Sequence, residues 1–139
     1  MTDLEKAKKY LQSEGCTCVL CRDDRLVTSH RRGVAPLLAL LDSGEDFSGY
    51  CAADKVVGKA TAMLYRLLGV KALWAGVISE SAIAALRESQ IEAHWDQRVD
   101  HIINRDGTGP CPMEAATAHI DDPQTALAAV RETLKVLQG

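Results

Sequence analysis

The residues best suited to chemistry stand in one run, Asn104-Arg105-Asp106-Gly107-Thr108-Gly109-Pro110-Cys111-Pro112-Met113-Glu114. A polar, glycine-rich turn delivers Cys111 to the start of what reads as a helix. Pro112 has its φ preset for a first helical position and lacks the N–H that would go unpaired there. Glu114 falls where a capping-box carboxylate would sit relative to Cys111. A thiol at a helix N-terminus feels the positive end of the helix dipole, which favours the thiolate. Cys111 and Glu114 could thus serve as nucleophile and acid–base group, although no base adjoins Cys111 in sequence and one would have to come from elsewhere in the fold. The structural alternative makes Cys111 an N-cap substitute under the turn. Asn104 and Arg105 read as groups that position a polar ligand.

Two further clusters have the right residue types. Asp54-Lys55, with Lys59 one turn later, opens a long apolar stripe. Read as a helix, Asp54 is its cap, and Lys55 and Lys59 flank an N-terminus suited to an anion such as phosphate. Gly58 would let another backbone approach closely. Ser79-Glu80-Ser81 follows an apolar run at its carboxyl end, the edge of an open α/β sheet where ligands sit. By itself that motif is a serine cap with a glutamate favoured by the dipole. Cys16-x-Cys18-x-x-Cys21 has knuckle-like spacing, but a strand would put Cys16 and Cys18 on one face and Cys21 on the other. No second cysteine pair completes a zinc site, and the four histidines form no ligand pattern. No metal site and no cofactor are expected.

The elements that must position these groups follow from periodicity and punctuation. Residues 3–14 have helical spacing, with Thr2 and Glu5 placed as a capping box and Gly15 as the stop. Residues 16–21 and 25–29 read as a hairpin around Asp23-Asp24. Residues 32–41 read as a helix, Pro36 being tolerable only near its first turn. Apolar residues from Ala53 to Leu68 recur on more than one face, which predicts a buried central helix ending at Gly69. The run 72–78 suits a strand covered on both faces. Ser79 caps a helix reaching about Ser89. Residues 91–95 read as a short strand, 99–103 are ambiguous, and two helices begin near Pro112 and Pro123, the second capped by Asp122. Helices alternating with strands give an α/β fold with helices covering the sheet.

The chain has 139 residues, 47% hydrophobic and 25% charged, with net charge −3. That fits one folded domain over residues 1–139 and argues against disorder. Lysines and arginines are scattered, so no basic face for nucleic acid is expected. No apolar run is long enough for a membrane span, and no signal peptide is visible. Five cysteines without secretory context read as reduced thiols in a cytoplasmic protein.

Asp54-Lys55-Val56-Val57-Gly58-Lys59-Ala60, the Ile78-Ser79-Glu80 step, and Asn104-Arg105 through Cys111-Pro112-Met113-Glu114 together resemble a prokaryotic family of unknown function, number 1893 in the domain-of-unknown-function series. The resemblance covers nearly the whole chain. It implies a cytidine-deaminase-like fold, a three-layer α/β/α sandwich with a mixed sheet. Zinc deaminases of that fold open one helix with His-x-Glu or Cys-x-Glu and the next with Pro-Cys-x-x-Cys. Here the corresponding stretches are Cys51-Ala52-Ala53-Asp54-Lys55 and Ser79-Glu80-Ser81-Ala82-Ile83. The paired cysteines are missing, so no zinc-bound hydroxide forms in the usual way.

The expected function is binding of a small anionic molecule, nucleotide-like or phosphorylated, at helix N-termini, with catalysis left open. Lys55, Lys59, Ser79, Asn104 and Arg105 are the candidate ligand-binding residues. Cys111, Asp54, Glu80 and Glu114 are the candidate catalytic ones. The alternative is a non-catalytic regulatory or protein-interaction module whose site has decayed. Homo-oligomers are common in this fold, and Trp74 and Trp95 are candidates for an interface.

Overall fold

A computed structural model describes residues 1–104 and 106–138. The chain runs α1 (Asp3–Glu14), β1 (Cys18–Arg22), β2 (Arg25–Ser29), α2 (Ala35–Asp42), β3 (Cys51–Val57), α3 (Lys59–Leu68), β4 (Ala72–Ser79), α4 (Glu80–Glu88), β5 (Glu92–Val99), α5 (Pro112–Thr117) and α6 (Pro123–Gln138). The sheet order is β2-β1-β3-β4-β5. β1 is antiparallel to β2 and β3, whereas β3, β4 and β5 are parallel, so the sheet is mixed.

Strand alternation builds two unequal layers on this sheet. Val19 and Cys21 of β1 and Ala53 of β3 meet Ala7 and Leu11 of α1. Cys18, Leu20, Ala52, Leu73 and Ile78 face the larger core, filled by Leu37, Met63, Leu64, Tyr65, Leu86 and Val130 from the helices opposite. α6 lies along α3. The result is α/β/α, with α1 alone among the described helices forming one outer layer. No described helix is long and apolar enough to cross a membrane.

The alternation is broken once. Ala75 and Ile78 both face the larger core, as do Ala52 and Val57, although each pair is an odd number of residues apart. Both strands therefore switch phase near Lys55 and Gly76. A Cβ on Gly76 would stand 2.7 Å from the Lys55 carbonyl oxygen, so only glycine permits this approach.

The main correction to the sequence reading is at 51–57. The apolar stripe from Ala53 is not one helix but β3, then Gly58, then α3. A central strand covered on both faces is apolar throughout, and a short apolar run has no period that separates it from a buried helix. Asp54 is therefore not a helix cap: it lies within β3, opposite Cys18. Lys55 is likewise on the strand, exposed, while Gly58 is the N-cap of α3. β1 begins at Cys18, so Cys16 precedes the strand and shares the α1 side with Cys21 rather than with Cys18. α2 begins at Ala35, after Gly33 takes a φ of 65°. β5 runs on to Val99 because an edge strand needs little apolar pattern, and its residues are mostly polar.

Candidate functional site

Asp54 is a half-buried carboxyl in the middle of β3. Its Oδ2 accepts from the Tyr65 hydroxyl at 2.6 Å, and its Oδ1 accepts from the Val56 N–H at 3.3 Å. Tyr65 rises from α3 and is fully buried. Because its proton goes to Asp54, its oxygen is left to accept from the Cys18 thiol at 3.3 Å. A proton-ordered row, Cys18 to Tyr65 to Asp54, thus runs from β1 across α3 to β3. Burial is the main cause that pushes the Asp54 carboxyl up to about 7, and the bonds from Tyr65 and Val56 only partly offset it. Burial and the neighbouring Asp54 charge also raise the Cys18 thiol and the Tyr65 phenol, so both stay protonated. The carboxyl of Asp54 is the member of the row that changes charge near neutral pH.

Cys18 also lines a cleft of about 130 Å³ between the β1–β2 hairpin and α2. Leu20, Pro36 and Leu40 give it apolar walls; Ser29 and Arg31 are polar members of its rim. Arg31 belongs to the exposed run His30-Arg31-Arg32 that follows β2. Neither Arg31 nor Arg32 forms an ion pair among the described residues. The segment is pinned from behind: the Thr17 hydroxyl donates to the carbonyls of Ser29 and Arg31, and the Arg31 N–H donates to Ser29 Oγ. Sequence reasoning passed over this cleft, and the three consecutive basic or imidazole side chains after a hairpin were the available signal.

At the N-terminus of α3 the anion is supplied by the protein. The Lys59 backbone N–H donates to Glu114 Oε2 at 2.8 Å. Gly58 offers no side-chain cap of its own, and a Cβ there would lie 2.7 Å from Glu114 Oε1. The glycine leaves space for the carboxylate, and the carboxylate takes the place of a cap. The Lys59 side chain is buried, and its ammonium donates to the Ala118 carbonyl at 3.0 Å, at the C-terminus of α5. Lys59 and Glu114 are thus brought together, in crossed contacts that dock α5 on α3. Glu114 does not close a capping box with Cys111 but reaches to another helix.

At α4 the expected serine cap is present. Ser79 is fully buried and its hydroxyl accepts from the Ala82 N–H at 3.2 Å. Glu80, one residue on, forms a two-pronged ion pair with the Arg98 guanidinium of β5. Hydrogen bonding to Arg98 keeps the Glu80 carboxyl below its ordinary range.

Cys111 is partly exposed, while Cys16, Cys18, Cys21 and Cys51 are buried. It is the N-cap of α5 but makes no side-chain capping bond, and α5 is only six residues long. Its backbone N–H donates to the Ile102 carbonyl. The Asn104 side chain is spent within its own turn, accepting from the Thr108 N–H and donating to the Thr108 hydroxyl. Arg105 lies outside the described residues. No hydrogen bond or ion pair among the described residues joins Asp54 to the Lys59–Glu114, Ser79–Glu80 or Cys111 groups. Among those residues no three His, Cys, Asp or Glu side chains converge on one point as metal ligands would.

No curated protein matches the chain. Its structure is similar to the crystal structure of a DUF1893 family protein, TM1506, from Thermotoga maritima, with a TM-score of 0.86 at 24% identity over 95% of this chain and 90% of that one. At that identity the likeness speaks for the fold. Residues 6–134 match the family model described as TM1506, domain of unknown function DUF1893. The chain belongs to the DUF1893 family.

Proposed function

We propose that the chain binds a small anionic molecule at the cleft beside α2, where Cys18 lies opposite Asp54 of β3, and that Asp54 is its acid–base group. The observation behind this reading is the Asp54 carboxyl, partly exposed midway along β3, with the Tyr65 hydroxyl 2.6 Å away and a pKa of about 7. A carboxyl tuned to the working pH is matched to proton transfer, and perturbed groups beside clefts cluster at functional sites. Arg31 and the exposed Lys55 next to Asp54 supply positive charge without ion pairs among the described residues. The cleft, at about 130 Å³, is smaller than the several hundred Å³ of a drug-sized pocket. A phosphorylated small molecule therefore fits better than a whole nucleotide, which would enter by one group only.

The alternative, a non-catalytic partner-binding module, draws on a different observation: the N-terminus of α3 already holds the Glu114 carboxylate. One experiment separates the two. Thermal shifts are measured with inorganic phosphate, sugar phosphates and nucleotides on the native chain, Arg31→Ala and Asp54→Asn. A ligand at about 100 times its dissociation constant stabilises by about 2.7 kcal/mol. The anion-site reading expects a shift that Arg31→Ala removes and Asp54→Asn retains. A shift indifferent to Arg31→Ala, or no shift with any compound, overturns it and leaves the module.

A further inference from the structure

The cleft beside α2 is built by strand register and helix period. Across the hairpin Cys18 pairs with Ser29 and Leu20 with Val27, so these side chains share one face of the sheet. Cys18, Leu20 and Val27 make the floor, and Ser29 meets the rim. Pro36, Ala39 and Leu40 stand on one side of α2, three and four residues apart, and make the wall. Arg31 is the one charged side chain among these lining residues.

The floor has no donor to give an anion. The Cys18 thiol donates to the Tyr65 oxygen at 3.3 Å, and Leu20 and Val27 have none to offer. A phosphate or carboxylate drawn onto this floor would lose its water with nothing in exchange. The rim differs. The backbone of Arg31 is held at both ends, its N–H donating to Ser29 Oγ and its carbonyl accepting from the Thr17 hydroxyl. Its guanidinium has no hydrogen-bond or ion-pair partner among the described residues. An anion is therefore matched at the mouth, and the part that enters must be apolar. Volume sets the size of that part: the cleft has about 130 Å³, and a dry cavity of about 150 Å³ holds one benzene.

We infer that the cleft takes an amphipathic anion, whose apolar body of about six carbons lies between the hairpin and α2 while its phosphate or carboxylate stays on Arg31. The inference rests on the anion-site reading above and adds the class of molecule. The test is titration calorimetry with inorganic phosphate, methyl, butyl, hexyl and octyl phosphate, hexanoate and hexanol, on the native chain and Arg31→Ala. Arg31 is exposed, and circular dichroism checks that the variant folds. Affinity should rise about two- to fourfold for each methylene that leaves water and level off beyond hexyl. Arg31→Ala should weaken every anion about tenfold or more. Hexanoate against hexyl phosphate tells a carboxylate from a phosphate ester, and either one bound through Arg31 supports the inference. Alkyl phosphates no tighter than inorganic phosphate, all lost in Arg31→Ala, overturn the inference and leave the anion site standing. No binding by any anion overturns both. Hexanol as tight as hexyl phosphate overturns the match of charge, and gains that continue to octyl overturn the match of size. As a second measurement, hexyl phosphate should shift the methyl resonances of Leu20, Val27 and Leu40 where inorganic phosphate does not; methyls that stay unmoved put the chain outside the cleft and overturn the inference.

Discussion

Asp54 sets a pH dependence of stability opposite to that of most carboxylates. Below its unfolded pKa of 3.8 the group is neutral in both states and has no effect. Between there and its folded pKa of about 7, the folded chain keeps a proton that the unfolded chain releases. The folded state binds more protons, so stability falls as pH rises through this window, and the loss is complete above about 7. Asp54→Asn removes the titration while leaving an amide oxygen to accept from Tyr65. From pH 5 to pH 8.5 the folded carboxyl loses about 1.4 kcal/mol per pH unit over roughly two units. Solvent reaching the partly exposed residue trims this, so the Asn variant gains on the native chain by about 2–3 kcal/mol across that range. For a chain of this size that is on the order of 10 °C in Tm. Urea unfolding of both proteins at pH 5, 6, 7 and 8.5 measures it. Parallel pH profiles would refute the reasoning, because they would mean that Asp54 titrates alike in both states.

Further outcomes follow from the same contacts. Glu114→Ala should cost about 1–2 kcal/mol by stripping the N-terminus of α3. Gly58→Ala should cost a similar amount in the native chain and little in the Glu114→Ala background, a coupling that a double-mutant cycle by urea unfolding reads directly. Gly76→Ala drives a Cβ to 2.7 Å from the Lys55 carbonyl, where only backbone can yield, so a loss of about 1–3 kcal/mol is expected from overpacking. Iodoacetamide under native conditions should modify Cys111 ahead of the four buried thiols; mass spectrometry of the first adduct checks this, and an adduct on Cys18 would contradict the core described above.

Local signals were readable wherever one residue settles a boundary. Gly15 and Gly69 end α1 and α3 in left-handed conformations, Ser79 caps α4, and Asp122 accepts from the Thr125 N–H at the start of α6. Each is a contact within a few residues, so its chemistry is printed in the sequence. β3 was not readable, since Cys51, Ala52, Ala53, Val56 and Val57 suit a buried helix as well as a central strand. The error had a consequence: as a helix cap Asp54 would be solvated and ordinary, whereas on β3 it meets Tyr65 and is half-buried. The residue stood among the candidates, but its chemistry depends on a neighbour eleven positions away that only the fold supplies.

The same distance effect reorganises the other candidate residues. Lys59 and Glu114 were picked as separate functional groups, one for anions and one for proton transfer; in the fold they answer each other across 55 positions. A helix N-terminus with nearby lysines attracts a carboxylate as readily as a phosphate, and here the chain provides its own. That contact leaves the ammonium of Lys59 turned to the Ala118 carbonyl rather than to solvent. Positive charge not committed to an ion pair among the described residues includes Arg31, which lines the same cleft as Cys18, and Lys55, which follows Asp54 on β3. The residues that could meet an external anion are thus among those that the chain has not already paired with a carboxylate of its own.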